Sequence, residues 1–143
     1  NATRLTPAPA PVVARYLDAF NRRDLDALCG LLSVDAVAEI VGVAEEVGRD
    51  VVRRNSLSEW AADPQPMWAE AGSLDGREAI FVFFRTPEHE KALAWILTLE
   101  LADDAVTVMR NYCFCPDFLR HAAEQLGVPA SVYGYRYVAP AAH

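Results

Sequence analysis

The side chains that could do chemistry in this chain are a few aromatic and polar residues spread over its length. A tyrosine hydroxyl, indole rings and a guanidinium can bind an apolar molecule and orient its polar atoms, so they suggest a ligand pocket. The candidate pocket residues are Tyr16, Trp60, Trp68, Arg110 and Tyr112. The structural alternatives are core packing for the aromatic residues and, for Arg110, which could also hold an anionic ligand, a salt bridge to a nearby carboxylate.

Metal binding and nucleophilic catalysis are not indicated by the sequence. The three cysteines, Cys29, Cys113 and Cys115, show no spacing with the histidines that a metal site would require. Cys113 and Cys115 are predicted to lie on one strand and to face the same side of it. No Ser-His-Asp spacing and no Gly-rich phosphate loop is present in the sequence. We interpret the cysteines as reduced, buried, small apolar residues, and we expect no metal and no cofactor.

Length and charge limit the classes of function. A chain of 143 residues has the size of one domain, and its net charge is −7. Because a phosphate backbone is bound mainly by cations, and the arginines here are scattered, we expect no direct contact with nucleic acid. No apolar run reaches the roughly 18 to 20 residues of a membrane span. No signal peptide is visible either, so the sequence predicts a cytoplasmic protein without membrane contact.

The first part of the chain is predicted to be mainly helical. Apolar residues recur at helical spacing in residues 12–32, where Asp24 is a good N-cap between two short helices. A short strand, residues 37–41, and a third helix, roughly residues 50–60, follow. Residues 1–11 are expected to be the remnant of a cleaved tag followed by an extended Pro/Ala linker.

The rest of the core is predicted to be an antiparallel meander followed by a helix. The strands are residues 67–74, 78–85, 91–101 and 105–114, with a hairpin turn at Asp75-Gly76 and a last helix from Pro116 to a stop at Gly127. The fold class is therefore α+β, with helices against one face of the sheet. Because residues 80–84 are apolar on both faces, the second face needs a cover, for which we expect a homodimer contact or another domain.

Three segments in this order resemble the SnoaL-like domains of the nuclear transport factor 2-like superfamily. They are the helical pair followed by Gly-Arg-Asp-Val-Val at residues 48–52, the hairpin Asp75-Gly76-Arg77-Glu78-Ala79, in which Glu78 replaces the usual proline, and the strand end Arg110-Asn111-Tyr112. The resemblance spans most of residues 12–126. It implies a cone-shaped fold, in which a curved antiparallel sheet packs against the N-terminal helices, over residues 12–138, with a tail at residues 139–143.

A narrower resemblance concerns the last part of the chain. The segment Cys115-Pro116-Asp117-Phe118-Leu119 and the ending Tyr133-Gly134-Tyr135-Arg136-Tyr137 are similar to the C-terminal SnoaL-like domains of some bacterial extracytoplasmic-function sigma factors. This implies a non-catalytic regulatory accessory domain that contacts the sigma-factor core regions or RNA polymerase in transcription initiation, through Phe118, Tyr133 and Tyr135. The alternative is a stand-alone small-molecule-binding protein, or a polyketide cyclase- or isomerase-like enzyme, that holds a small apolar ligand in the conical pocket.

The same fold hosts steroid isomerases, whose chemistry requires a carboxylate base and a tyrosine paired with a protonated acid. The resemblance places Tyr16 at the position of the tyrosine, but it places Ile40 and Leu97 where the two acids would lie. Glu39 alternates to the opposite side of its strand from Ile40. Without a carboxylate at either position, proton abstraction beside a carbonyl has no agent, and we expect no catalytic residues.

Overall fold

The computed structural model describes residues 3–6 and 9–131 of the chain. Its strands are β1 (Arg4–Leu5), β2 (Leu32–Ile40), β3 (Ala44–Val47), β4 (Met67–Leu74), β5 (Arg77–Phe84), β6 (Ala92–Ala102) and β7 (Ala105–Asn111). Its helices are α1 (Pro11–Asn21), α2 (Leu25–Cys29), α3 (Arg49–Val52), α4 (Ser58–Ala62) and α5 (Pro116–Leu126), with a π-helical turn, Arg53–Leu57, between α3 and α4. The strands form one curved sheet in the order β1-β4-β5-β6-β7-β2-β3. The predicted α+β class is confirmed.

The helices begin and end at residues whose chemistry explains the boundary. Pro11 opens α1, where a missing N–H costs no helical hydrogen bond. The Asp24 carboxylate accepts the backbone N–H of Ala27 at 3.0 Å and caps α2, as the sequence predicts. Gly127 follows α5 with a positive φ of 73°, a conformation that most side chains avoid at a helix end.

The hairpin between β4 and β5 has the predicted turn. Asp75 and Gly76 both have positive φ, 51° and 79°, as a type I′ turn requires. The two strands pair antiparallel from their turn to Met67 and Phe84. β6 and β7 continue the meander, also antiparallel. This half of the sheet therefore follows local sequence signals.

Three other parts of the sheet differ from the expectation. β2 is longer than residues 37–41 and pairs parallel to β7, and β3 adds an edge strand that the sequence did not predict. β1 lies within the expected linker and pairs with β4. Thr3, the residue before β1, donates its backbone N–H to Gln125 Oε1 at 2.7 Å. Parallel pairing and a two-residue strand depend on partners that are distant in the sequence, so the local pattern of apolar and polar residues does not predict them.

The cysteine pair near the end of β7 also differs from the expectation. β7 ends at Asn111, so Cys113 and Cys115 are not on a strand. Cys113 is buried just beyond the strand end, whereas Cys115 is half-buried and forms the N-cap position of α5. The strand stops early because Pro116 and Asp117 open a helix, and the chain must turn before them.

Two apolar clusters hold the sheet to the helices, one on each face. The inner core joins α1, α2 and α4 to one face and includes Tyr16, Phe20, Leu28, Trp60 and Trp95. The outer core joins α5 to the other face and includes Phe81, Phe83, Leu93, Ile96 and Leu119. The chain's own last helix thus packs on the second apolar face and supplies a cover for it. The homodimer contact or extra domain that the sequence suggested stays a prediction.

Candidate functional site

A cavity of about 370 Å³ lies within the inner core, between the helices and the sheet. α1, the π-helical turn, α4, β2, β6 and β7 all contribute to its wall. Its volume is at the lower end of the range of small-molecule sites, roughly 300 to 1,000 Å³. Most of the wall is apolar, and a few polar groups face it, which is the usual composition of a ligand pocket.

The inner end of the cavity carries the hydroxyl of Tyr16. Tyr16 is 2% exposed, and its hydroxyl donates to Sδ of Met109 at 3.4 Å. A thioether sulfur is a weak acceptor, so this donor gains more from an oxygen atom of a ligand than from its present partner. Burial is the main cause that raises the pKa of Tyr16 above its ordinary value, and the phenol therefore stays protonated at neutral pH.

Aromatic rings form one wall of the cavity. The ring centroid of Phe20 lies 5.1 Å from that of Trp60 and 6.5 Å from that of Trp95, the latter in an edge-to-face arrangement. Nε1 of Trp60 is buried and makes no hydrogen bond within residues 3–6 and 9–131. A buried N–H without an acceptor is costly, and this nitrogen is covered by protein atoms, so Trp60 contributes its ring and not its N–H to the cavity.

Arg23 fixes the segment that bears Trp60. Its guanidinium donates to three backbone carbonyls, those of Trp60 at 2.9 Å, Asp63 at 2.6 Å and Gln65 at 2.6 Å. The Asp63 carboxylate in turn accepts the backbone N–H of Gln65 at 2.9 Å. The elbow between α1 and α2, which is residues 22–24, therefore holds the end of α4 against the cavity.

The mouth of the cavity is polar and acidic. Ser56, Glu59, Asp63 and Pro64 line it, and Glu59 and Pro64 are exposed to solvent. Burial raises the pKa of the neighbouring Glu46, and the charge of Glu59 raises it further, against the opposing effect of hydrogen bonds from Ser56. Negative charge at this edge is therefore only partly compensated by the protein.

The end of β7 supplies two more polar groups to the wall, Asn111 and Cys113. The Asn111 side-chain oxygen accepts the backbone N–H of Cys113 at 2.9 Å, which fixes the asparagine side chain. Burial raises the pKa of the Cys113 thiol to about 12. Because the thiolate is the reactive form, Cys113 is a neutral wall residue and not a nucleophile.

Two of the five predicted pocket residues, Tyr16 and Trp60, line this cavity, and three do not. The Trp68 ring packs against Phe83 on the outer face, and its Nε1 donates to Glu70 Oε2 at 2.8 Å. Arg110 pairs through Nε with Glu39 Oε1 at 3.1 Å and through Nη1 with Glu100 Oε2. The salt bridge, which the sequence left as an alternative for Arg110, is thus the arrangement present.

The predicted partner-contact residues lie at or beyond the last helix. Phe118 is half-buried, and its ring centroid lies 5.1 Å from that of Tyr112 within the outer core. Both side chains therefore contribute to the packing of α5. Tyr133 and Tyr135 lie outside the described residues.

The positions that would carry acids in a steroid isomerase are part of the cavity wall. Ile40 and Leu97 both line it and are 6% and 5% exposed. Glu39 also borders the cavity, but its carboxylate accepts from Arg110. The buried part of the cavity thus contains hydrogen-bond donors and apolar groups, and its carboxylates lie near the edge.

Several wall residues were missed by sequence reasoning, although a signal existed for each. Phe20 follows Tyr16 by four positions on one helix face, and Trp95 shares a strand face with Leu97.

Met109 and Asn111 alternate with Arg110 along β7, so they face the cavity while Arg110 faces away from it. The sequence indicated the right strand but the opposite face.

Comparison with known proteins identifies the fold. Neither a protein-family model nor a curated protein matches the chain. A hypothetical protein with a ketosteroid isomerase-like fold from Catenulispora acidiphila, solved in complex with trimethylamine, is similar with a TM-score of 0.57 and 15% identity, covering 91% of this chain and 100% of that one. An NTF2-like protein of unknown function from Mesorhizobium loti has a TM-score of 0.56 and 19% identity, with 76% and 96% covered.

A third similar structure is a protein from Sinorhizobium meliloti that is provisionally described as a polyketide cyclase. Its TM-score is 0.55 and its identity 23%, with 73% of this chain and 95% of that chain covered. These likenesses show that the chain has the cone-shaped fold of NTF2-like and ketosteroid isomerase-like proteins. Among the described residues, no helix is long and apolar enough to cross a membrane, and no group of His, Cys, Asp and Glu is arranged to hold a metal ion.

Proposed function

We propose that this protein binds a small, largely apolar organic molecule in the inner-core cavity. The observation that carries the proposal is Tyr16, which lines the cavity and whose buried hydroxyl has, among the described residues, only the Met109 sulfur as its acceptor. Apolar walls supply most of the binding free energy in such sites, and a few polar groups fix orientation. A ligand with a carbonyl oxygen at one end suits this arrangement.

The Tyr16 hydroxyl favours a ligand with an acceptor group. A carbonyl oxygen near Tyr16 would replace a weak O–H···S contact with a stronger O–H···O bond. Among proteins of this fold, the one from Catenulispora acidiphila forms a complex with a small organic molecule, trimethylamine.

Binding is favoured over isomerase or cyclase chemistry by the chemistry of the wall. Enolisation requires a base within hydrogen-bond reach of the proton that it removes. The wall positions Ile40 and Leu97 are hydrocarbon, and the Glu39 carboxylate is held by Arg110. Enolisation of a ketone by the protein that disappears in the Glu39→Gln variant would contradict this part of the proposal.

The regulatory role in transcription initiation, which the narrower resemblance implies through residues 115–119 and 133–137, stays a prediction, and the similar solved structures give it no support. Phe118, one of its expected contact residues, packs on Tyr112 within the chain. Phe118→Ala would therefore disturb α5 as well as any partner contact. The cavity is independent of this role and supports ligand binding on its own.

Titration with 2-acetylnaphthalene, a neutral aryl ketone, tests the proposal. We expect saturable quenching of tryptophan fluorescence and a raised melting temperature, because a ligand that binds only the folded state stabilises it. Tyr16→Phe removes the donor, and we expect it to weaken binding about three- to tenfold, the usual net value of one hydrogen bond.

Tyr112→Phe is the matched control, because it makes the same chemical change on the outer face. We expect its affinity to equal that of the wild type. Absence of saturable binding by the folded wild-type protein would overturn the proposal, and equal weakening by the two variants would exclude Tyr16 as the anchor.

A further inference from the structure

The charged residues that line the cavity are of one sign. Glu39, Glu59 and Asp63 border it, and the described part of the chain places no lysine, arginine or histidine in its wall. Glu59 and Asp63 lie on the more exposed side of the cavity, whereas the Glu39 carboxylate turns to Arg110 on the other face of the sheet. The buried part is formed by Tyr16 and apolar residues. A bound molecule therefore meets negative charge at its outer end.

These three carboxylates differ in how far the protein neutralises them. Glu39 is paired with Arg110, and Asp63 lies close enough to Arg23 for their charges to interact. Glu59 makes no ion pair or hydrogen bond within the described residues, and its charge acts on Glu46, another carboxylate. The uncompensated charge of the mouth is thus centred on Glu59.

Aromatic side chains, those of Phe20, Trp60 and Trp95, also line the cavity. Trp60, on the same helix as Glu59 and one residue after it, packs against Phe20, and Trp95 lies edge-to-face with Phe20. The π-face of an aromatic ring attracts a cation, most strongly for tryptophan. The attraction grows when the cation is withdrawn from water, as in a half-enclosed cavity.

We infer that the cavity selects organic cations: a ligand with an ammonium group near Glu59 and Trp60, and a hydrogen-bond acceptor at the inner end near Tyr16. The inference rests on the proposed ligand-binding function and specifies its ligand class. An anionic ligand of the same shape would meet carboxylates without a cation to pair with, and it is disfavoured. A neutral ligand gains the apolar contacts but lacks the attraction at the mouth.

A pair of isosteric esters separates charge from shape. Acetylcholine and 3,3-dimethylbutyl acetate share an ester carbonyl and a branched end of the same size, and they differ in one positive charge. In calorimetric titration we expect acetylcholine to bind about tenfold more tightly, as one favourable cation–π and ion contact would give. Added salt should weaken binding of the cation and leave the neutral ester unchanged.

Glu59→Gln removes the charge at the mouth with little change of shape. We expect it to reduce the preference for the cation about threefold and to leave the affinity for 3,3-dimethylbutyl acetate unchanged. Glu88→Gln is the matched control, since Glu88 is exposed in the turn between β5 and β6 and does not line the cavity. It should leave both affinities as they are.

The outcomes distinguish this inference from the function on which it rests. If 2-acetylnaphthalene and the neutral ester bind but acetylcholine binds no more tightly than the ester, selection of cations is wrong and the apolar cavity remains. If none of the three compounds binds, the ligand-binding function itself fails, and the inference fails with it. A preference for the cation that Glu59→Gln leaves intact would overturn the role of Glu59 and of the mouth.

Discussion

Cys113 and Tyr16 are the residues in the cavity wall whose protonation is controlled by burial. Both have a pKa raised above the ordinary value, because the charged form would lose its hydration in the inner core. Both therefore remain neutral at physiological pH. Tyr16 can then donate its proton in a hydrogen bond, while Cys113 acts as an apolar group.

The burial of Cys113 has a measurable effect on stability at high pH. Its folded-state pKa of about 12 exceeds the ordinary value of 9.0, so the folded state favours the protonated thiol. This contribution is complete below pH 9 and is lost as the pH rises towards 12. In this range we expect the free energy of unfolding of the wild type to fall more steeply than that of Cys113→Ser, by up to about 1.4 kcal/mol per pH unit.

Urea denaturation at a series of pH values measures this difference in slope. Cys115→Ser is the control, because Cys115 is only half-buried and its titration should be coupled less strongly to folding. Parallel curves for the wild type and Cys113→Ser would show that the thiol is solvated in the folded state.

The sequence showed which kinds of side chain could form a pocket more readily than it showed the direction in which each side chain points. Tyr16 and Trp60 were predicted to line a pocket and do so, whereas Arg110 and Tyr112 lie on the opposite face from Met109 and Asn111. In a strand, a shift of one residue exchanges the two faces. On β7 apolar and polar residues mix on both faces, so alternation alone did not show which face borders the cavity.

The helical elements near the mouth are too short to be stable alone. α4 has five residues, and isolated helices of this length do not form in water. Its position depends on packing and on the three carbonyls that Arg23 binds. The elbow between α1 and α2 thereby controls the geometry of the cavity from outside its wall.

Arg23→Lys tests this dependence. A lysine ammonium cannot reach three carbonyls in the fork geometry of a guanidinium, so we expect a loss of about 1 to 3 kcal/mol in unfolding free energy. We also expect faster dissociation of bound 2-acetylnaphthalene, because the end of α4 would be less restrained. Denaturation and stopped-flow fluorescence measure the two effects.

Arg22→Lys is the neighbouring control. Arg22 is exposed and pairs with Asp18 and Asp24 at the surface, where such contacts contribute little to stability. Both variants keep the positive charge. If Arg23→Lys lowered the unfolding free energy as little as Arg22→Lys does, Arg23 would act through its charge and not through the carbonyl contacts.

The elements themselves could be predicted where their signals are local. The turn at Asp75-Gly76 and the alternating apolar residues place β4 to β6 within one or two residues of the expected bounds. β3, β1 and the parallel pairing of β2 with β7 could not be predicted, since each is stabilised by residues distant in sequence. The edge strands carry few apolar residues, and hydrophobic periodicity is therefore weak there.

The whole molecule is organised around a sheet that is apolar on both faces and covered on both by its own helices. The inner core surrounds the cavity, and the outer core is closed by α5. The sequence indicated correctly that the second face needs a cover. It did not indicate the source of that cover, because a single amphipathic helix at the end of a chain could pack on this face or on another protein.

Leu119 lies at the centre of this cover and is fully buried against the outer face. We expect Leu119→Ala to lower the unfolding free energy by about 2 to 5 kcal/mol, as for other large cavities made in apolar cores. Local opening of α5 would then expose Phe81 and Phe83. We therefore also expect increased binding of an apolar dye and self-association, measured by fluorescence and sedimentation.

Leu101→Ala provides the comparison, because Leu101 is 39% exposed at the end of β6 and its truncation should cost less than about 0.5 kcal/mol. The inner-core cavity lies on the other side of the sheet, so affinity for 2-acetylnaphthalene should persist in the folded fraction of the Leu119→Ala variant. Loss of stability without exposure of apolar surface would mean that α5 stays docked, and that the outer core is held by contacts other than Leu119.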